Sequence, residues 1–180
     1  MDVEPVEIAA TRRWLERAVI GLNLCPFAKA VHVKRQIRFV LSDARDTDAL
    51  RGELERELQH LHATPADEID TTLIVHPRVL QDFLDYNTFL AVADRTVRRL
   101  GLEGEIQVAS FHPDYVFAGE PDDDASNCTN RTPYPTLHLL REASIDRAVA
   151  AYPDPDVIVE RNIATMRRLG VDGFRRLLAP

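Results

Sequence analysis

Two short apolar runs in this chain break off in the same way, on a histidine followed by a proline: Val75-His76-Pro77 and Phe111-His112-Pro113. The runs themselves, Thr71 to Val75 and Ile106 to Phe111, are apolar or β-branched and read as strands. Proline keeps the residue before it out of the helical region, so each histidine is restrained to an extended backbone. Between the runs lies a helix-length segment ending at Leu100-Gly101. Phe83, Tyr86, Leu90, Ala93, Val97 and Leu100 fall on one of its faces. Strand, helix and strand make a crossover unit. If its strands are parallel, both histidines reach the same carboxyl edge of the sheet, where open α/β sheets bind ligands.

The rest of the chain extends this alternation. Val31 to Leu41 alternates Val33, Ile37, Phe39 and Leu41 with Lys34, Gln36 and Arg38, as a strand at a sheet edge does. Asp46 or Thr47 can cap a helix with the stripe Leu50, Leu54, Leu58 and Leu61, which Thr64-Pro65 ends. Pro5 to Ile20 reads as a helix, and Leu22 to Phe27 as a buried turn. Thr132 and Pro133 suit the start of a helix running to about Ala151. Asp154-Pro155 opens another, with Val159, Ile163 and Met166 inward and Gly170 as its stop. Gly173 to Leu178 forms a short closing helix.

The pattern predicts an α/β layered sandwich with a β-α-β-α-β core and flanking N- and C-terminal helices. A ferredoxin-like α+β sandwich is the alternative, with a fourth strand at Tyr115 to Ala118. There is no internal repeat and no dividing linker, so residues 1–180 read as a single globular domain.

A formal charge of −7 argues against a general nucleic-acid binder, which needs a basic face for phosphates. No apolar run approaches a membrane span. The start, MDVEPVEIAATRRW, lacks the basic and apolar regions of a secretory signal, and a cytoplasmic location is expected. Cys25 and Cys128 are then expected as thiols, with no C-x-x-C spacing. Asn127-Cys128-Thr129 and Asn130-Arg131-Thr132 match the N-glycosylation pattern by chance in that setting. Serine-hydrolase, P-loop and dinucleotide signatures are missing, and no motif names a cofactor.

The chemistry concentrates after the third strand, in a segment of about twenty residues without helical or strand periodicity. Loops that long in a compact domain are usually functional. His112 is the candidate acid/base, with His76 and Asp114 assisting. The same three could instead hold a divalent metal with an open position. Asp122-Asp123-Asp124 reads as a solvated loop tip. Arg131, ahead of the expected helix N-terminus, is the candidate anion ligand; Asn127, Asn130, Thr132 and Tyr134 are its supporting donors. Arg141 reads as structural. Cys25 is an outside candidate nucleophile, although its apolar turn suits a small buried residue better. Cys128, in a polar loop, is expected to be the more accessible thiol.

Three ordered motifs carry a resemblance. They are Leu22-Asn23-Leu24-Cys25-Pro26-Phe27-Ala28; Ser110-Phe111-His112-Pro113-Asp114-Tyr115 with Phe117-Ala118-Gly119; and Thr129-Asn130-Arg131-Thr132-Pro133-Tyr134-Pro135 with Leu137-His138-Leu139-Leu140-Arg141-Glu142. Together they resemble a bacterial domain-of-unknown-function family of about this length, over nearly the whole chain. The family pattern has an aromatic residue where this chain has Cys128, which weakens an essential role for that thiol. The resemblance implies a bacterial, cytoplasmic, single-domain protein and no particular substrate.

Three functional readings follow. The first is an enzyme acting on a small anionic metabolite by histidine acid/base chemistry. The second is a non-catalytic ligand-binding or protein-interaction module. The third is a metal-dependent hydrolase. A small anion is the expected partner, with neither nucleic acid nor membrane.

Overall fold

Thr71–Val75 is buried at every position, as expected of a strand covered on both faces, and it forms β2 near the middle of a four-stranded sheet. The computed structural model describes residues 4–152 and 154–180, so Met1 to Val3 of the acidic start and Pro153 lie outside the described residues. The first helix, α1 (Val6–Trp14), continues into a π-helical stretch, Leu15–Ile20. A turn and a short α2 (Ala28–Val33) lead to β1 (Ile37–Leu41). The strand expected from Val31 thus begins only at Ile37: the Lys34 N–H and the Gln36 N–H close turns onto Ala30 and Val31 carbonyls, with Arg35 left-handed between them.

Asp46 caps α3 (Thr47–Ala63) by accepting the Ala49 N–H at 2.8 Å. Its stripe Leu50, Leu54, Leu58 and Leu61 is fully buried. Burying each such side chain stabilises the fold by roughly 1.5–3 kcal/mol. Arg141 holds the far end of α3, donating to the Leu61, Thr64 and Ile69 carbonyls. After β2 a turn leads to α4 (Phe83–Arg99), capped by Asp82, and then to β3 (Ile106–Phe111).

The helix expected from Thr132 does not form. Thr136–Arg141 is instead a strand, β4, inserted between β2 and β3 and antiparallel to both. Thr132 and Tyr134 each precede a proline and are biased away from the helical region. Leu137 and Leu139 then alternate onto one face of the sheet. Only the end of the expected helix survives, as α5 (Glu142–Ala150). The last helix, α6 (Asp156–Leu178), breaks at Gly170 (φ 72°, ψ 163°), so the stop expected there and the closing helix after it appear as two arms of one element. Val159, expected inward, is exposed.

The strand order is β1-β2-β4-β3, with β1 on an edge and parallel to β2. Because β4 runs against both neighbours, β2 and β3 point the same way. The α/β sandwich is therefore mixed. The chain order β-α-β-α-β-β is not the ferredoxin-like order, and the fourth strand is not at Tyr115 to Ala118. Helices α3 and α4 cover one face through Tyr86, Phe89, Ala93 and Val97 against Ile74, Leu137 and Leu139. Trp14, Leu15 and Ala18 near the N-terminus and Met166 and Phe174 of α6 cover the other, over Ile37, Phe39 and Phe111.

Candidate functional site

Parallel directions for β2 and β3 bring His76 and His112 to one edge of the sheet, each 0% exposed. Tyr86 stands between them, its ring centre 5.8 Å from His76 and 5.0 Å from His112. The imidazole bonds then converge on a single turn. His76 Nδ1 meets the Val79 carbonyl at 3.0 Å, and His112 Nε2 meets the Leu80 carbonyl at 3.1 Å. A carbonyl only accepts, so each of these nitrogens carries the proton. His112 Nδ1 accepts the Asp114 backbone N–H at 3.0 Å, which uses both of its ring nitrogens. His76 Nε2 is buried without a partner among the described residues. The turn held this way contains Leu80 in the left-handed region (φ 59°), a strained place for that side chain. It delivers Asp82 to cap α4.

Burial disfavours the charged imidazole, and it pushes His76 down to about 4. A neighbouring His112 adds to that shift, against the bond to Val79. Burial also lowers His112, opposed by its bond to Leu80 and by the Asp114 and Asp82 charges. Tyr86 is equally committed: its hydroxyl donates to the Thr136 carbonyl at 2.8 Å and accepts the Phe111 N–H at 2.9 Å, tying β4 to β3. Burial raises its pKa. These groups are neutral at neutral pH and hold backbone. Asp114 contributes its N–H, while its carboxylate stays exposed. Among the described residues, no group of three His, Cys, Asp or Glu side chains is placed to hold a metal.

The loop from His112 to Pro135 is folded by its own side chains. Asn127 is fully buried; it accepts the Phe117 N–H and donates to the Pro121 carbonyl. Asn130 donates to the Ser110 carbonyl and Thr132 to the Tyr134 carbonyl. A 3-10 turn, Ala125–Asn130, is capped by Asp124. Arg167 of α6 donates to both oxygens of Asp124 and to Glu120, and that guanidinium draws the Asp124 carboxyl down to about 2. Of the expected anion ligands, Arg131 lines a cleft, and Asn127, Asn130, Thr132 and Tyr134 do not. With no helix after it, Arg131 is positioned by the loop: Nε donates to the Tyr115 carbonyl at 3.0 Å and Nη2 to the Asp122 carbonyl at 2.8 Å.

Arg131 lines a cleft of about 680 Å³ between this loop and the broken α6. Asp122 and Asp123 line it from the loop; Gly170, Asp172, Arg175 and Arg176 line it from α6. Asp172 pairs with Arg175 at 3.5 Å. Among the described residues, neither Arg131 nor Arg176 has a carboxylate partner, and neither Asp122 nor Asp123 has a cationic one. His76, His112 and Cys25 do not line the cleft.

The cysteines exchange their expected places. Cys25 is exposed, because the turn points Leu24 inward instead. Cys128 is buried beside Trp14 and Met166. Burial raises its thiol pKa, against the pull of Arg131 and Arg175. An inert packed thiol fits an aromatic's place in the core.

A model of a family described as proteins of unknown function, DUF1415, matches residues 6–176. The chain belongs to the DUF1415 family. No curated protein and no solved structure matches it. In this DUF1415 chain the match takes in the histidine turn, the long loop and both arms of α6 up to Arg176. No helix is long and apolar enough to cross a membrane among the described residues.

Sequence reasoning missed Tyr86 as more than a core residue, and it missed Arg175, Arg176 and Leu80. Leu80 carries no local signal, because imidazoles from the ends of two strands hold the turn that contains it. The arginines had one: Arg175-Arg176 follows Gly170 and Gly173 closely, in a segment read only as a closing helix.

Proposed function

We propose that the protein binds a small anionic ligand in the cleft between the long loop and α6, as a binding module and not through histidine acid/base chemistry. The observation that carries this is the setting of Arg131. Two backbone carbonyls fix its guanidinium at the cleft wall, and among the described residues no carboxylate neutralises it. A pre-positioned guanidinium loses little side-chain entropy on taking a carboxylate or phosphate in two parallel bonds. Arg176 offers a second cation from the other wall. The volume suits a small molecule. The buried imidazoles, by contrast, are committed to carbonyls at 3.0 and 3.1 Å.

The test is an NMR titration with inorganic phosphate, succinate and butyrate at constant ionic strength, following the Gly170 and Gly173 amides. At least one probe should give a saturable shift. Arg176→Ala should weaken it roughly tenfold, the value of one charge-assisted bond. Arg131→Lys keeps the charge but gives up the two carbonyl bonds that position it, and should weaken binding at least as much. Absence of saturation with all three probes would end this reading.

A further inference from the structure

The three aspartates of the loop tip are chemically identical in sequence and differ in use. Asp124 is engaged on both sides: it accepts the Ser126 N–H at 2.8 Å and pairs with Arg167 at 3.1 Å. Asp122 and Asp123 line the cleft and have no cationic partner among the described residues. Across from them, Asp172 and Arg175 answer each other. Subtracting the paired groups leaves two cations, Arg131 and Arg176, and two carboxylates, Asp122 and Asp123, on one cavity. A site for a plain anion does not need unpaired carboxylates on its wall, since like charge lowers affinity. These carboxylates are also held in step with the cation. Arg131 Nη2 bonds the Asp122 carbonyl at 2.8 Å, so the loop that fixes the guanidinium fixes the start of the acidic edge.

From this juxtaposition we infer that the ligand is a zwitterion: a small amino acid whose carboxylate meets Arg131 and Arg176 and whose ammonium meets Asp122 and Asp123. This rests on the anion-binding reading above and narrows it. The arrangement weakens simple anions by repulsion at the loop edge without abolishing their binding at the arginines, and it disfavours simple amines by repulsion at the arginines. Both ends recognise charge, so affinity falls with added salt.

The experiment compares matched probes on the full-length protein by the same NMR titration: β-alanine and γ-aminobutyrate, propionate and butyrate, and n-propylamine and n-butylamine. At least one amino acid should bind tenfold or more tightly than the acid of the same chain length, and neither amine should saturate. The double variant Asp122→Asn with Asp123→Asn changes exposed side chains, so its fold should be unaltered. It should bring the amino acid down to the affinity of the plain acid and leave the acid unchanged or slightly tighter. If acid and amino acid bind equally and the double variant changes neither, the zwitterion inference falls while the anion site stands. If no acid or amino acid binds, both fall. Binding of the amines alone would overturn both, because it would assign the cleft to cations.

Discussion

His76 and His112 at the sheet edge, and Arg131 in the cleft, all use ring or guanidinium N–H groups to hold backbone carbonyls. The consequences differ because of what remains. His112 has no free nitrogen, and both imidazoles are sealed behind Tyr86 and Phe83. Arg131 has five donors, of which one on Nε and one on Nη2 hold carbonyls, and it borders open volume. A histidine has one or two polar contacts to give: at His112 a structural role exhausts them, and at His76 the nitrogen left over is buried. An arginine can hold a loop and still face a ligand. On the reading proposed above, the sheet edge serves stability and the cleft serves recognition.

The harshest way to break that contrast is His112→Ala. It would strip partners from the Leu80 carbonyl and the Asp114 N–H and open a void beside Tyr86. Unmet buried polar groups cost about 1–3 kcal/mol each, so a loss of about 3–4 kcal/mol is expected in urea unfolding. Leu80 would leave its left-handed conformation, since strain persists only where the surroundings enforce it. Ligand affinity at the cleft should stay within about twofold in the folded fraction. A larger drop in affinity than in stability would put His112 back in the site.

Acid probes the same edge more gently. Folding lowers the His76 pKa from 6.5 to about 4. Between those values the unfolded chain holds a proton that the folded chain does not, so falling pH favours unfolding. The contribution is fully present above pH 6.5 and is lost as pH drops toward 4, on the order of 3 kcal/mol over the window. His112 and His138, both lowered by burial, steepen the decline. Urea midpoints at successive pH values measure it, and His76→Phe, which cannot take the proton, should flatten the curve. An unchanged slope in that variant would mean that His76 is solvated and the edge is more open than its packing indicates.

Much of this edge was legible from two His-Pro pairs, because proline fixes a local backbone and strand direction does the rest. The cleft was not. Arg131 stood out, but for a helix N-terminus that does not exist: Thr132-Pro133 resembles a cap and a first turn, and the second proline at 135 with Leu137 and Leu139 in alternation outweighs it. The cysteines were misplaced for a related reason. Local polarity around Cys128 describes its neighbours in sequence, whereas α6 covers it from far along the chain. Sequence periodicity reports which face of an element is apolar. It does not report which distant element arrives there, and both walls of the cleft are brought together by such an arrival.

The mildest perturbation separates shape from charge in the cleft. Gly170 breaks α6 at φ 72°, ψ 163°, a region essentially reserved for glycine. A Cβ there would meet nothing within 4 Å, so Gly170→Ala carries no clash. Its cost is conformational alone, about 1–2 kcal/mol, well below that of His112→Ala. The arm that follows carries Arg175 and Arg176 and is pinned at its far end, where Arg17 donates to the Leu177 and Ala179 carbonyls at 3.2 and 2.7 Å. Relaxing the bend with that end held would rotate the arginines relative to Arg131. The variant should therefore lose more in phosphate or butyrate affinity, about tenfold, than its small stability change accounts for in a protein that remains fully folded at the assay temperature. Equal affinity with a lowered urea midpoint would show that the bend only packs α6, and that the cation on the loop suffices for the site.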